Sequence, residues 1–317
     1  MRGQQLADRY EILSELGHGG MGVIYRARDL VLGRDVAVKV IATGAALTAE
    51  AELRFRSEAQ TIAQLDHPGI IAIYDFGRHQ GAFFYVMPVV EGQSLRALID
   101  RRELAVADVI DIGAAVAEAL AYAHARMIVH RDVKPDNVMV ARDADGRLRV
   151  TVMDFGLARS ATDEPLTKTG ILIGTVHYLS PDKVADAAAD VYALGTVLYE
   201  CLAGEAPFTG DPNAVLYRIA HEFPPPLRER GVELDDDLDA LILACLAKAP
   251  ADRPPSMSAL GRALRQLRGH GRGGDRDALA SISHPLRRAG LPALIGRQRE
   301  LGELQQRLSR AIAGEGH

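Results

Sequence analysis

The sequence predicts an α+β protein whose strands come first and whose helices follow. Three observations carry that prediction. Residues 10–41 alternate apolar and polar side chains between turn signals, the two-residue period of half-buried strands. Val106 to Arg126 places Val109, Ile112, Val116, Leu120 and Ala123 on one helical stripe. Asp190 to Ala203 is apolar nearly all round, as a central buried helix is, and Gly204 is a natural stop after it.

Composition narrows the class. A chain of 317 residues exceeds one small core and fits about two domains. Hydrophobic residues at 48% and charged residues at 25% are those of a soluble globular protein. A formal net charge of −5 argues against a nucleic-acid partner, which calls for a basic face. Cys201 and Cys245 lie in apolar stretches, so no disulfide framework is expected and the cytoplasm is the expected compartment. Met1 to Tyr10 is too polar for a secretory leader. The longest apolar run, Val191 to Tyr199, is less than half a membrane span and is closed off by Asp190 and Glu200, so no membrane contact is expected.

Taken in order, the chain opens with a strand over Glu11 to Leu16. Then come Gly17-His18-Gly19-Gly20-Met21-Gly22 and a second strand from Val23 to Ala27. Glycines at this density leave backbone amides free to approach phosphates without side-chain collision. The same G-x-G-x-x-G pattern marks dinucleotide-binding folds, but there it opens a helix, and here the residues after Gly22 read as strand. Val36 to Val40 is an apolar strand interrupted by Lys39, whose ammonium needs anions if it is buried. Thr48 to Leu65 reads as a helix, with Thr48 as N-cap and Glu50 in the first turn. Phe55, Ala59 and Ile62 share one face, and Glu58 falls on it too. An inward carboxylate there seeks a cation, and Lys39 is the natural candidate. His67-Pro68-Gly69 turns the chain into a strand over Ile70 to Tyr74, and Phe83 to Val90 is another. After the Val106 helix come a strand over Leu148 to Met153, then Asp154-Phe155-Gly156, then a hydroxyl-rich loop over 157–181. Helices near 234–247 and 256–267 follow the Asp190 helix, and Gly269 to Gly274 has the composition of a linker.

The densest chemistry lies in His130-Arg131-Asp132-Val133-Lys134-Pro135-Asp136-Asn137. A proton acceptor (Asp132), a cation (Lys134) and an oxygen ligand (Asn137) stand within eight residues. Pro135 fixes one backbone dihedral and removes one amide donor, so this is a shaped loop and not helix or strand. Val138, Met139 and Val140 can anchor it in a core. The spacing resembles the H-R-D-x-x-x-x-N catalytic loop of protein kinases at every specified position. The glycine loop, Lys39, Glu58 and Asp154 stand in that family's order and spacing. Over about residues 10–267 the chain is similar to the bacterial, eukaryotic-like (Hanks-type) Ser/Thr protein kinases.

The resemblance implies a bilobal protein kinase fold. Its N-lobe (10–88) would be an antiparallel sheet plus one main helix, and its C-lobe (89–267) mostly helical. It implies transfer of the ATP γ-phosphoryl to Ser or Thr hydroxyls of protein substrates. Asp132 would accept or orient the hydroxyl proton and Lys134 would steady the γ-phosphate. Lys39, fixed by Glu58, would hold the α/β-phosphates, and Asn137 and Asp154 would hold Mg²⁺, with Mn²⁺ as the alternative ion. The nucleotide would be covered by Leu16, Gly17, His18, Gly19, Gly20, Met21, Gly22 and Val23. Ile24, Ala37 and Met139 would enclose adenine, with Met87 as gatekeeper and the backbone of Pro88 and Val90 at the hinge. Ile62, Ile73, His130 and Phe155 would stack between the lobes. Thr167 and Thr169 stand where bacterial kinases of this group are autophosphorylated, for which a homodimer would serve, and Arg131 is a cation suited to such a phosphate. Thr175 would belong to the platform that receives the substrate.

Several residues depart from the family pattern. Ser180-Pro181-Asp182 replaces A-P-E or S-P-E, and the shorter Asp182 is expected to pair less easily with Arg253. The stretch from Asp182 to Asp190 is shorter than is usual for the family. Pro88 replaces a common acidic residue, which keeps the carbonyl and stiffens the hinge. Asp190 is expected to bond the catalytic loop from below. Residues 268–290 read as a linker. Gly296-Arg297-Gln298-Arg299-Glu300-Leu301 resembles the entry segment of AAA-type ATPase domains, so 291–317 reads as the truncated start of a downstream ATPase domain. Two rival functions stay open: a catalytically weak pseudokinase or ATP-sensing module, and a small-molecule phosphotransferase of related fold.

Overall fold

The computed structural model describes residues 3–19, 22–41, 49–155, 176–182 and 186–270. The alternating first part forms one antiparallel sheet. Its strands are β1 (Gln5–Leu6), β2 (Tyr10–Gly19), β3 (Gly22–Asp29), β4 (Arg34–Ile41), β5 (Asp75–His79) and β6 (Ala82–Met87). They lie in the order β1-β2-β3-β4-β6-β5. Between β4 and β5 runs α1 (Ala49–Ile62), which buries Phe55 and Ala59 as its period requires. Phe55 stacks on Phe83 of β6 with centroids 4.4 Å apart, which sets the helix on the sheet. Tyr10, Ile12, Ala27, Val38, Phe84 and Val86 form the apolar cluster on the sheet. The expected sheet plus one main helix is therefore present.

A polar knot ties the sheet's corner. Arg9 donates two hydrogen bonds to Asp29, at 3.0 and 2.9 Å, and a third at 3.3 Å to Asp75. The Tyr10 hydroxyl donates to Asp75 at 2.6 Å. Asp29 is buried and also accepts the Val31 and Leu32 amides, so its charge is fully paired.

The second part is mostly helical. β7 (Gln93–Ser94), α2 (Leu95–Asp100), α3 (Val106–His124), β8 (Val138–Arg142) and β9 (Leu148–Val152) come first. Then follow α4 (Ala187–Ala203), α5 (Pro212–His221), α6 (Asp236–Cys245) and α7 (Met257–His270). β7, β8 and β9 make a small three-stranded sheet that frames the loop between α3 and β8. α4 is buried continuously from Asp190 to Cys201, in keeping with its all-round apolar sequence. Gly195 lets α6 come close: a Cβ there would lie 2.4 Å from the Cβ of Cys245. Burial pushes the Cys245 thiol up to about 12 and raises that of Cys201, so both are inert core residues. No described helix is long and apolar enough to cross a membrane.

Some boundaries differ from the sequence reading. α4 begins before Asp190, because Asp186 caps it by accepting the Ala188 and Ala189 amides. Gly204 ends it with φ 79°, as expected. The strand anticipated over Ile70 to Tyr74 is reduced to a bridge between Ile70 and Val152, and ladder pairing starts at Asp75. β6 stops at Met87, since Pro88 has no amide to continue the ladder. β7, α2 and α5 were not anticipated; β7 and α2 are short, whereas α5 carries a helical stripe, with Val215 and Ile219 buried, that was overlooked. Thr48, the expected cap of α1, lies outside the described residues, as does everything from residue 271 on.

The Arg9 knot makes stability depend on acid. The Arg9 guanidinium, helped by the Leu32 and Val31 amides against the upward push of burial, holds the Asp29 carboxyl at about 2. An unfolded Asp titrates near 3.9, so this contribution is whole above about pH 4 and is lost as pH falls toward 2. Urea unfolding of Asp29→Asn is expected to show a lower midpoint at neutral pH and a shallower loss of stability below about pH 4.

Candidate active site

The loop between α3 and β8 is built around one carboxylate beneath it. Asp190, in the first turn of α4, accepts the backbone amides of His130 at 2.8 Å and Arg131 at 2.9 Å. It also meets His124 Nε2 at 2.8 Å. Arg131 has φ 65°, a left-handed conformation that side chains disfavour, and the two amide bonds hold it there. The expectation that Asp190 bonds the loop from below holds.

Within the loop, hydrogen bonds fix the reactive groups. The Asp132 amide donates to His130 Nδ1 at 3.2 Å, so His130 carries its proton on Nε2, which donates to the Met153 carbonyl at 2.8 Å. Asp132 Oδ2 accepts from Lys134 Nζ at 2.7 Å and from Asn137 Nδ2 at 2.9 Å. Asn137 Nδ2 also reaches the Asp132 carbonyl at 2.8 Å. Both side-chain bonds of Asn137 among the described residues use its nitrogen, which leaves the oxygen as the end for a cation. The Met153 amide donates to the Asn137 carbonyl at 2.8 Å, and Phe155 packs on His130 with centroids 4.4 Å apart. These contacts bring Asp154 beside the loop.

Asp154 is the electrostatic centre of the cleft. It too has a left-handed backbone, with φ 55°. Lys39 Nζ donates to its Oδ2 and the Tyr85 hydroxyl donates to its Oδ1. Burial alone would raise this carboxyl; Lys39 and the Tyr85 hydroxyl outweigh it and hold it below the usual range. Burial, then the Asp154 charge, drives the Tyr85 phenol well above its ordinary value. Sheet register explains the grouping. Ile24 pairs with Lys39 and Lys39 with Tyr85, so the three stand in one row across β3, β4 and β6. Ala37 pairs with Met87, placing the expected gatekeeper beside the expected adenine contact, both buried.

The expected Lys39–Glu58 pair is a correction. Lys39 is buried and its anion is Asp154. Glu58 is 36% exposed on the flank of α1, with Arg131 Nη1 at 4.0 Å. The helical face was read correctly, but Glu58 sits at its margin, and among the described residues it lies near a cation of the loop between α3 and β8. The Ser180 to Asp182 departure resolves differently. Both terminal nitrogens of the buried Arg253 reach Asp182 at 3.3 Å, so the pair forms, at distances long for a charged bond. The carbonyls of Ala188, Ala247 and Lys248 take up the rest of the guanidinium, at 2.9, 2.9 and 3.0 Å.

Other predicted residues fall around the cleft. Gly17, His18 and Gly19 pair with Ile24, Val23 and Gly22 at the tip of the β2–β3 hairpin, where Leu16 is half exposed. A Cβ at Gly22 would fall 2.0 Å from the Val40 carbonyl oxygen, so this position demands glycine. Pro88, Val90 and Met139 are half-buried. Gly20, Met21, Gly156, Thr167, Thr169 and Thr175 lie outside the described residues. The sequence reading missed Tyr85 and a network in which Arg96 donates to Glu200 at 2.8 Å and to the Tyr178 hydroxyl at 2.6 Å, while that hydroxyl donates to Glu200 at 2.6 Å. A tyrosine inside an apolar strand was the available signal for the first, since a buried phenol needs a partner.

The donor chemistry fits a hard cation that takes few protein ligands. Asn137 and Asp154 offer oxygen, and among the described residues no three His, Cys, Asp or Glu side chains gather into a cage. Mg²⁺ suits such a site, because it keeps waters and substrate phosphates in its shell.

Residues 10–263 match the protein kinase domain family. Serine/threonine-protein kinase PknB of Mycolicibacterium smegmatis is 45% identical over 262 residues, covering 79% of this chain and 41% of that protein. A probable serine/threonine-protein kinase of Streptomyces coelicolor, SCO3848, is 40% identical over 259 residues, covering 78% of this chain and 38% of that one. The chain thus spans about two fifths of the length of these curated relatives. Among solved structures, the Mycobacterium tuberculosis PknI kinase domain superposes with a TM-score of 0.63 at 28% identity, covering 84% of this chain and 99% of that domain.

Removing the Asp190 carboxylate strands two loop amides, each at a cost of about 1–3 kcal/mol. Asp190→Ala is therefore expected to lose at least about 2 kcal/mol of stability in denaturant titration, with amide exchange at His130 and Arg131 rising more than in α7.

Proposed function

Because the chain belongs to the protein kinase family, we propose that it is a Ser/Thr protein kinase that transfers the ATP γ-phosphoryl to protein hydroxyls. One observation carries the reading: Asp132, Lys134 and Asn137 share hydrogen bonds on a loop anchored by Asp190, with Asp154 and Lys39 beside it. The substrate oxygen attacks the γ-phosphorus while the bridging β–γ oxygen departs with ADP, and the hydroxyl proton passes to Asp132. Lys134, already on Asp132, is placed to neutralise the γ-phosphate. Lys39 must exchange Asp154 for the nucleotide phosphates. Asn137 and Asp154 would hold Mg²⁺, or Mn²⁺ in its place, and the ion would supply positive charge against the phosphates. The buried Met87 and Ala37 support adenine beside the Pro88 and Val90 backbone.

Regulation would act through the charge on Arg131. Phosphate on Thr167 or Thr169 would offer Arg131 a stronger anion than Glu58, freeing Glu58 for Lys39. A homodimer would carry out that reaction in trans, and Thr175 would contact the acceptor peptide. The chain is read as a cytoplasmic module whose residues 291–317 lead into an ATPase domain; the run from Gly296 to Leu301 supports this.

After incubation with Mg-ATP, mass spectrometry is expected to find phosphate on Thr167 or Thr169. In Asp132→Asn the rate of its appearance should fall by about 100-fold or more. Equal phosphorylation of the two proteins would overturn the reading.

A further inference from the structure

We propose that Tyr85 is a positioning residue for the metal-binding carboxylate of Asp154, an inference that rests on the kinase reading. The β4–β6 register sets Tyr85 directly opposite Lys39, so both side chains leave the same face of the sheet. They converge on Asp154 and divide its two oxygens: Lys39 takes Oδ2 and Tyr85 takes Oδ1. A lone contact to one oxygen leaves the carboxylate plane free to turn about its last torsion. Two contacts from fixed strands set that plane. The backbone of Asp154 is already left-handed and held through Met153, so its side-chain torsions are the remaining freedom.

Tyr85 is the more permanent of the two holders. Lys39 must leave Asp154 when it takes the nucleotide phosphates, whereas the phenol has no phosphate to serve. Its surroundings hold it in place, since Phe83 and Met87, its same-face neighbours on β6, are buried and Tyr85 itself is 2% exposed. A phenylalanine would fill the same space, so the hydroxyl is explained by its acceptor and not by packing. The phenol occupies one lone pair of Oδ1 and leaves the others of that carboxylate for a cation. Hydrogen bonds to ligating carboxylates commonly tune metal affinity by about 10–100-fold.

The test compares the 317-residue wild-type chain with Tyr85→Phe. Mn²⁺ is titrated in the presence of a non-hydrolysable ATP analogue, with free Mn²⁺ read by electron paramagnetic resonance. The variant is expected to bind Mn²⁺ about 10-fold more weakly, while analogue affinity in EDTA stays within about twofold of wild type. In turnover assays the half-saturating Mg²⁺ concentration should rise by a similar factor and kcat at saturating metal should recover. A structural role alone would not divide the effects in this way. A Mn²⁺ affinity in the variant equal to or tighter than wild type overturns the proposal. A wild-type chain with no metal-dependent nucleotide binding overturns the kinase reading as well, so the two failures are distinguishable. Thermal unfolding in EDTA supplies a second measurement: Tyr85→Phe should lower the midpoint in the wild-type background and have little effect in an Asp154→Ala background. Equal shifts in both backgrounds also count against it.

Discussion

The active cleft depends on a single buried carboxylate, that of Asp190, lying under the catalytic loop. Two consecutive amides point at it, and that is possible only because Arg131 adopts a left-handed backbone. The strain and the hydrogen bonds are parts of one arrangement. The turn aims Asp132 into the cleft, and the anchor keeps the turn from relaxing. α4 can supply the anchor because it is buried along most of its length and so is among the least mobile elements of the fold. Loop residues that do chemistry are thereby fixed to a core helix, which is how a flexible connection acquires the precision that positioning catalysis needs.

Around that frame the cleft satisfies its own charges. Lys134 rests on Asp132, Lys39 on Asp154, and Arg131 lies near Glu58. Among the described residues each of these three cations faces a carboxylate, and under the proposed reaction each of those carboxylates has another task. Under the proposed reaction these pairs would exchange partners, and the lysines and the arginine that would move are long side chains from β4 and the loop.

Much of this was legible in the sequence, for identifiable reasons. The His130 to Asn137 octapeptide has fixed spacing because its bonds are local, so the pattern reports the geometry directly. The stripes of α3 and α4 reflect burial that their periods record. Glu58 shows where legibility ended. Its helical face could be read, but which of two nearby cations it meets is decided by how α1 sits against the C-lobe, and no local pattern encodes that. Tyr85 was missed because its significance lies in cross-strand register, which joins residues far apart in the chain. β7 and α2 are too short to show a period.

The pairing of Lys39 with Asp154 also bears on what the cleft will accept. A triphosphate must part the two before it can use the lysine, so some of its intrinsic attraction goes into that separation. A neutral heterocycle that occupies only the space beside Met87 and Ala37 can leave the pair as it stands. Under the kinase reading, an uncharged ligand would keep this pair intact where ATP would have to open it.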